Sequence, residues 1–429
     1  MIQGVEFYDS EDILEVYSED ASRWYKVKPK GVFFPRSTEE VLKIVQFCCS
    51  RGVSLTPRGG GSGLTGGAVP EKDGFVISLE KMDKFSFQDG IVVSEAGAIS
   101  GSIERKINSL GFTLPAQPSS LNFSTIGGNV AANSAGLRSI KYGSMSDYIL
   151  AVEVVLPTGK IIEFHGEDAR IFAGSEGILG IIASVRFKVV KKKNRVVYTI
   201  FLSSPDQILE IFNVFRPFNP SAFEVLDDIS SYIAFGVNRF SLILEFEEDY
   251  NGIFAEVKSL MNILSESFRF DFAIIPDTWE RRKRLGPALS KFKPFKINED
   301  VVIPISLFSS YLRFIESLRK KIDCISFGHL GVGILHTNIM FGGGEEETAF
   351  DVKRELFDFI VSIGGSITGE HGVGIDKLQF VKNELGDDSV YFVSTIKSFF
   401  DPQNILNPGK VPRVSFGCVD TLDPRFQKV

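Results

Sequence analysis

Between Leu55 and Pro70 the chain reads L-T-P-R-G-G-G-S-G-L-T-G-G-A-V-P, with Gly59, Gly60, Gly61, Gly63, Gly66 and Gly67 inside nine residues. No helix or strand interior tolerates that density, because each glycine forfeits backbone entropy and offers no packing surface. Glycines that accept positive φ let successive N–H groups point into one concavity, and such a nest binds phosphate oxygens. A bound diphosphate is the expected occupant. Three loop grammars compete for it. The P-loop needs Lys and Ser or Thr after its last glycine, whereas Gly66 is followed by Gly67 and Ala68. The dinucleotide pattern G-x-G-x-x-G is matched by Gly61, Gly63 and Gly66, with Glu80 at a ribose-binding distance. It requires a helix at the last glycine, but Gly67 to Pro70 lead into a turn, Glu71 to Gly74, and a short strand, Phe75 to Leu79. What remains is strand, Pro-Arg, glycine cradle, strand. A flexible linker would not be flanked by apolar segments on both sides.

At 429 residues the chain exceeds the size at which one core stops growing, so two domains are expected. A net charge of -7 argues against a nucleic-acid partner. The acidic start, Met1 to Asp20, has no basic segment or apolar h-region, and no apolar run approaches ~18 residues. A cytoplasmic location follows, or peripheral attachment to a membrane through a partner. Cys48, Cys49, Cys324 and Cys418 have no C-x-x-C spacing, so no iron–sulfur or cysteine–zinc site is encoded and buried free thiols are expected. His165, His329, His336 and His371 are the only histidines, and three of them lie within 43 residues. Chemistry is expected in that tenth of the chain.

Ser37 or Thr38 is placed to cap a helix whose apolar face is Val41, Ile44, Val45 and Cys48. A strand, Val53 to Thr56, feeds the cradle. Beyond it, Phe75 to Leu79 and Ile91 to Glu95 read as strands, and Ser100 to Leu110 as a helix closed at Gly111. Thr125 to Asn133 reads as a helix of small residues that permits close approach of a flat ligand or another backbone. Ala151 to Leu156 and Lys160 to Phe164 form a hairpin around Pro157-Thr158-Gly159, and Ile181 to Val190 a strand. The run Lys191, Lys192, Lys193 and Arg195 marks a domain boundary. From Val197 to about Ile325 strands and helices alternate, as in an antiparallel sheet with helices on one face.

Eight ordered motifs carry a resemblance to a known family. They are P-R-G-G-G-S-G-L-T-G-G in the cradle, S-T-I-G-G-N-V-A-A-N-S-A-G at Ser124 to Gly136, K-Y-G-S at Lys141 to Ser144, and G-S-E-G-I-L-G-I-I at Gly174 to Ile182. The others are W-E-R-R-K at Trp279 to Lys283, G-H-L-G-V-G-I-L-H at Gly328 to His336, G-E-H-G-V-G at Gly369 to Gly374, and I-L-N-P-G-K at Ile405 to Lys410. Over roughly residues 28 to 413 the sequence resembles the FAD-linked 2-hydroxy-acid oxidases and dehydrogenases, which include the glycolate oxidase flavin subunit, D-lactate dehydrogenases and D-2-hydroxyglutarate dehydrogenase. The resemblance implies an α+β fold, a two-subdomain FAD-binding domain of the vanillyl-alcohol-oxidase type with an α+β cap domain. The implied order is a helical N-terminal extension (1–27), the FAD domain (28–192), the substrate cap (193–372) and a segment (373–429) returning to the FAD domain. FAD contacts are implied for Arg58, Gly59, Gly60, Gly61, Ser62, Gly63, Leu64, Pro118, Ser119, Ser120, Thr125, Gly127, Gly128, Asn133, Glu176, Gly177, Ile182 and Asn407. The flavin is expected to be noncovalent, because the cradle holds neither His nor Cys and no glycine cradle surrounds His165.

The chemistry is also legible from the residues. Gly331 and Gly333 make Gly328 to Gly333 unfit for a helix, which puts His329 on a loop feeding a strand, Ile334 to Met340. His336 and Asn338 then share a face of that strand, and Asn338 is a substrate-binding candidate. With Glu370 the two histidines make a sufficient first shell for a divalent ion, Zn or Mn, with positions left open. Such an ion acidifies the hydroxyl of a chelating 2-hydroxy acid, and His371 is placed as the general base. The resemblance assigns Arg282 to the substrate carboxylate. It also exposes departures: Val332 and Ile334 replace the family's usual Asp and Asn, and Asn298 replaces the Lys that hydroxyglutarate dehydrogenases use for the distal carboxylate. The expected substrate is therefore a small monocarboxylate such as D-lactate or glycolate, with electrons passing to oxygen, a quinone or quinone-linked partner, a cytochrome or a separate iron–sulfur protein. Two other readings are a flavin-binding electron-transfer subunit with an impaired metal site, and a relative of alkyl-glycerone-phosphate synthase. The latter lacks the consecutive histidines of those enzymes.

Overall fold

The computed structural model describes residues 2–411; Cys418 lies outside them. The chain forms two compact units. Among the described residues, the first takes 2–135, Ser144–Lys192 and 370–411, and the second takes Gly136–Gly143 and Lys193–Gly369.

In the first unit, β1 (Glu6–Tyr8), β2 (Gly31–Phe34), β3 (Leu55–Arg58) and β4 (Phe75–Ser78) form a sheet in the order β1-β2-β4-β3. Strands β2, β4 and β3 are parallel, and β2 connects to β3 through the helix Thr38–Arg51. The Ser37 hydroxyl accepts from the Glu40 N–H to start that helix, and Gly52 ends it in the left-handed region at φ 61°. Val41, Ile44, Val45 and Cys48 are buried on its inner face. A second, antiparallel sheet holds β5 (Phe85–Gln88), β6 (Ile91–Glu95), β8 (Ile149–Val155), β9 (Ile161–His165) and β10 (Ile181–Lys188) in the order β5-β6-β10-β8-β9. A short ribbon pairs β7 (Phe112–Thr113) with β11 (Val190–Lys191). One continuous core, from Phe33 and Ile77 through Val152 and Ile181 to Leu406, lies in this unit.

Where a helical extension is expected at the N-terminus, the chain makes β1 and only the short helix Glu11–Val16. This segment is part of the sheet because β1 satisfies the open edge of β2. It also braces the cradle. The Arg58 guanidinium donates to the Glu19 carbonyl at 2.7 Å, and the Ala21 N–H donates to the Gly61 carbonyl.

Of the six cradle glycines, only Gly61 and Gly66 take positive φ. Two others are required by close approach. A Cβ on Gly59 would sit 2.3 Å from Thr125 Oγ1, and one on Gly60 would sit 2.0 Å from the Phe123 carbonyl oxygen. The end of the loop is held by the buried Lys410, whose Nζ donates to the carbonyls of Gly67 and Val69 at 2.7 Å each.

The second unit is a seven-stranded antiparallel sheet in the order β15-β12-β14-β13-β17-β18-β16. Its strands are β12 (Arg195–Phe201), β13 (Ala222–Leu226), β14 (Ser241–Glu247), β15 (Asp271–Ala273), β16 (Phe295–Val302), β17 (Asp323–His329) and β18 (Ile334–Phe341). One face carries Phe223, Ser326, Thr337 and Glu299, which meet Phe212, Tyr311 and Lys353 of the helices Gln207–Phe215, Phe308–Leu318 and Glu346–Ser362. The other face is also covered: Leu226, Ile243, Ile325, Phe327 and Met340 pack with Leu285 and Leu289 of the helix Leu285–Leu289. Helices on one face alone is thus corrected to helices on both. The central strands β14 and β18 are buried along their whole length, so they lack the alternation that a half-exposed sheet would show. His329 is likewise corrected. It is the last residue of β17, paired with Ile334, and the turn Leu330–Val332 follows it.

Gly60→Ala forces a Cβ against backbone that cannot turn away. We expect it to cost about 2 kcal/mol in urea unfolding. Gly63→Ala, whose Cβ would come no nearer than 3.7 Å to the Asp20 carboxylate, serves as the control. A Gly60→Ala protein within about 0.5 kcal/mol of the wild type would refute the close-approach account.

Candidate active site

In the first unit a cavity of about 220 Å³ is lined by Arg58 to Leu64, Pro118 to Ser120, Thr125, Gly127, Gly128, Glu176, Gly177 and Ile182. Most of the wall is backbone and small side chains. Gly127 packs where a Cβ would meet Ala96 at 2.5 Å, and the Thr125 hydroxyl accepts from the Gly128 N–H to open the short helix Ile126–Ala131. A wall of this kind fits a diphosphate and a flat ring system, both of which need close backbone approach. Asn133 and Asn407 are not among the lining residues. Asn133 Oδ1 accepts from the Ser146 N–H, while Asn407 donates to the Glu176 carbonyl and accepts from Lys410 Nζ. Both sit at positive φ, 48° and 44°, where they shape the chain behind the wall.

Glu370 and His371 line the same cavity. The loop after His371 is tied down by two groups. Glu176 accepts from the N–H groups of Val373 and Gly374 at 2.7 Å each, and the Thr65 carbonyl accepts from those of Ile375 and Asp376. The Thr65 hydroxyl in turn donates to the His371 carbonyl at 3.2 Å. Gly372 and Gly374 have positive φ, and a Cβ on Gly374 would lie 2.1 Å from the Thr65 oxygen. Burial pushes the Glu176 carboxyl above the usual carboxylate range, against the two amide donors and the charges of Lys410 and Lys377. Glu176 therefore shapes the His371 loop as well as the cavity wall, a role its motif alone does not reveal.

In the second unit the face opposite the three long helices carries a polar cluster. Glu224, fully buried on β13, takes Nδ1 of His329 on Oε1 at 2.5 Å and Arg282 Nε and Nη2 on Oε2 at 2.8 and 2.7 Å. Burial works to raise its pKa, but His329 and Arg282 outweigh it and hold the carboxyl below its ordinary value. An ionised carboxylate only accepts, so Nδ1 of His329 carries the proton it shares with Glu224. The Arg282 guanidinium, on the helix Thr278–Lys283, lies 4.5 Å over the Phe327 ring. His336 stands perpendicular to His329, with ring centroids 5.3 Å apart. Asn338 is completely buried, its Nδ2 donating to the carbonyls of Ile325 and His336 and its Oδ1 accepting from Asn298. Asp300 accepts from the Gly369 N–H on both its carbonyl and its carboxylate, so the residue preceding Glu370 is anchored to β16.

Sequence reasoning missed Glu224 and Asp300. The available signal was a charge inside an apolar strand, A-F-E-V-L at Ala222 to Leu226, and the polar run Asn298-Glu299-Asp300 inside another. It also missed that Gly136–Gly143 belongs to the second unit. Arg138 pairs with Glu245, and Lys141 and Tyr142 with Glu247.

Residues 29–165 match a family model described as an FAD binding domain, and residues 191–411 match the C-terminal domain of FAD linked oxidases. The glycolate oxidase subunit GlcD of Bacillus subtilis is 32% identical, over 96% of this chain and 95% of its own. A D-lactate dehydrogenase of Archaeoglobus fulgidus is 30% identical over 88% and 90%, and a D-2-hydroxyglutarate dehydrogenase of Stutzerimonas stutzeri 25% over 93% and 94%. Among solved structures, p-cresol methylhydroxylase superposes with a TM-score of 0.80 at 15% identity, over 95% of this chain and 93% of that one. An alkyldihydroxyacetonephosphate synthase superposes at 0.77 with 21% identity, over 94% and 82%. These identities speak for the fold alone, which is the α+β, vanillyl-alcohol-oxidase type of FAD-binding fold.

Glu224→Gln should reverse the His329 tautomer, because an amide that accepts from Arg282 presents its NH₂ to Nδ1. Nitrogen-15 shifts of labelled histidine, tractable with four histidines in the chain, are expected to show Nδ1–H in the wild type and Nε2–H in the variant. The same tautomer in both would contradict the assignment.

Proposed function

The chain belongs to the FAD-linked oxidases, and from that premise we propose that it oxidises a small D-2-hydroxy acid of the lactate or glycolate type to the 2-oxo acid. The observation that carries the reading is that His371 and Glu370 line the same cavity as the glycine backbone. His371 acts as the base that removes the hydroxyl proton while the α-hydrogen departs as hydride. FAD, held noncovalently, supplies the acceptor for that hydride. Arg282, oriented by Glu224, holds the substrate carboxylate through charge-assisted hydrogen bonds. His329, His336 and Glu370 would hold a divalent ion, zinc or manganese, whose Lewis acidity lowers the hydroxyl pKa.

Support for the metal comes from the donor set. His329 has the carboxylate partner that orients metal-ligating imidazoles, and Gly369, one residue before Glu370, is held by Asp300. Val332 and Ile334 remove the family's usual polar support, yet Glu224 already serves His329. This favours the enzyme over a subunit with an impaired site. Asn298 offers no charge to a distal carboxylate, which favours monocarboxylates over D-2-hydroxyglutarate. No helix among the described residues is long and apolar enough to cross a membrane. Electrons leave to oxygen or to a separate quinone-linked or iron–sulfur partner.

Anaerobic addition of D-lactate or glycolate should bleach the flavin band, and acid precipitation should leave all the flavin in the supernatant. His371→Asn should keep FAD and metal but slow reduction by roughly a hundredfold or more. His336→Ala and chelators should remove the metal and turnover together, with FAD retained and the chelator effect reversed by Zn²⁺ or Mn²⁺. An active protein without divalent metal would remove the ion from the mechanism, and no bleaching by either acid would remove the substrate class.

A further inference from the structure

We infer that Asn298 Oδ1 is a substrate-reading acceptor, so that the acid oxidised carries a hydroxyl beyond its carbinol carbon, the smallest being 2,3-dihydroxypropanoate. This rests on the 2-hydroxy-acid reading and adds to it the chemistry of the side chain.

The orientation of two amides fixes which atom of Asn298 is left to read a substrate. Asn338 Nδ2 donates to the carbonyls of Ile325 and His336, at 3.3 and 3.2 Å, and a carbonyl can be served only by the NH₂ end of the amide. Asn338 Oδ1 must then face Asn298, from whose Nδ2 it accepts at 2.6 Å. Asn298 has therefore spent its donor end on Asn338 and turned its own oxygen away. That oxygen is buried and has no hydrogen-bond partner among the described residues. Flipping Asn298 would set two amide oxygens against each other, and flipping Asn338 would abandon two backbone carbonyls.

Strand register gives the oxygen its location. Asn298 pairs with Asn338, and the rung two residues on pairs Asp300 with His336, so all four side chains project from the face that carries Glu224, His329 and Arg282. A buried acceptor left unmet is costly, and native structures usually meet it with a ligand or water. A donor is what it selects: an anionic group would face an oxygen, and Lys296, next along the same face, gives its Nζ to the Gly286 carbonyl. A methyl side chain would leave the acceptor buried and unpaired, the situation in which polar sites discriminate most strongly.

The test is equilibrium titration of the oxidised holoprotein with 3-hydroxy-2-oxopropanoate and 2-oxopropanoate, which cannot reduce the flavin, followed by calorimetry. We expect the hydroxylated acid to bind at least about tenfold more tightly. In Asn298→Ala that ratio should fall to within about threefold, because the acceptor that separates the two acids is gone. The corresponding D-2-hydroxy acids should differ in the same sense in kcat/KM for flavin reduction. Equal affinities in the wild type overturn the inference even if the variant does not fold, as does tighter binding of 2-oxoglutarate than of either. Binding and reduction by none of these acids would overturn the 2-hydroxy-acid reading and this inference with it, whereas reduction by both without preference overturns this inference alone.

Discussion

A carboxylate removed from water must be met by donors, and Glu224 meets that requirement with the side chains of His329 and Arg282. One oxygen orients His329 and the other orients Arg282. Removing either partner would leave one oxygen of a fully buried carboxylate short of its donor. The first unit solves a different problem with the same device. Glu176 is buried too, but its donors are the backbone N–H groups of Val373 and Gly374, so it constrains a loop and not a ring. In both units a buried carboxyl group constrains a histidine, Glu224 through the imidazole of His329 and Glu176 through the loop that follows His371.

The cavity depends on how near two backbones can come. Gly59 and Gly60 let the cradle lie against Thr125 and Phe123, and Gly127 lets the short helix lie against Ala96. Chain reversal through positive φ explains Gly61 and Gly66. The first group is about contact and the second about conformation, and a glycine-rich string does not tell them apart. Lys410 joins the two ends of this construction by holding Gly67 and Val69 from the C-terminal side, and Asn407 joins it again through Glu176.

Much of the first unit was legible because its signals are local. Ser37 and Gly52 bound their helix, the hairpin of β8 and β9 turns at Pro157 to Gly159, and the glycine motifs mark the cavity wall. The second unit was legible only in outline. Strands β14 and β18 are covered on both faces, so period-2 alternation is absent and the side of the sheet bearing chemistry cannot be chosen from sequence. The histidines could be named, but not the carboxylate behind them, because Glu224 lies 105 residues from His329. Asn338 shows how little position alone says about partners. Its position beside His336 suggested a substrate contact, and the structure uses its amide on backbone carbonyls and Asn298.

The apolar residues at positions 332 and 334 fit this arrangement. Ile334 begins β18 opposite His329, and its side chain fills the space beside Gly369, where a Cβ would come within 2.8 Å of Ile334 Cγ2. Gly369 is thereby pressed between an apolar side chain and β16, where Asp300 takes its N–H twice. A polar residue at position 334 would have to find a partner in a strand buried along its whole length. An isoleucine needs none. Its packing against Gly369 puts a steric constraint on the chain immediately before Glu370. Hydrogen bonding at this point comes from other residues, Glu224 for the imidazole of His329 and Asp300 for the backbone of Gly369.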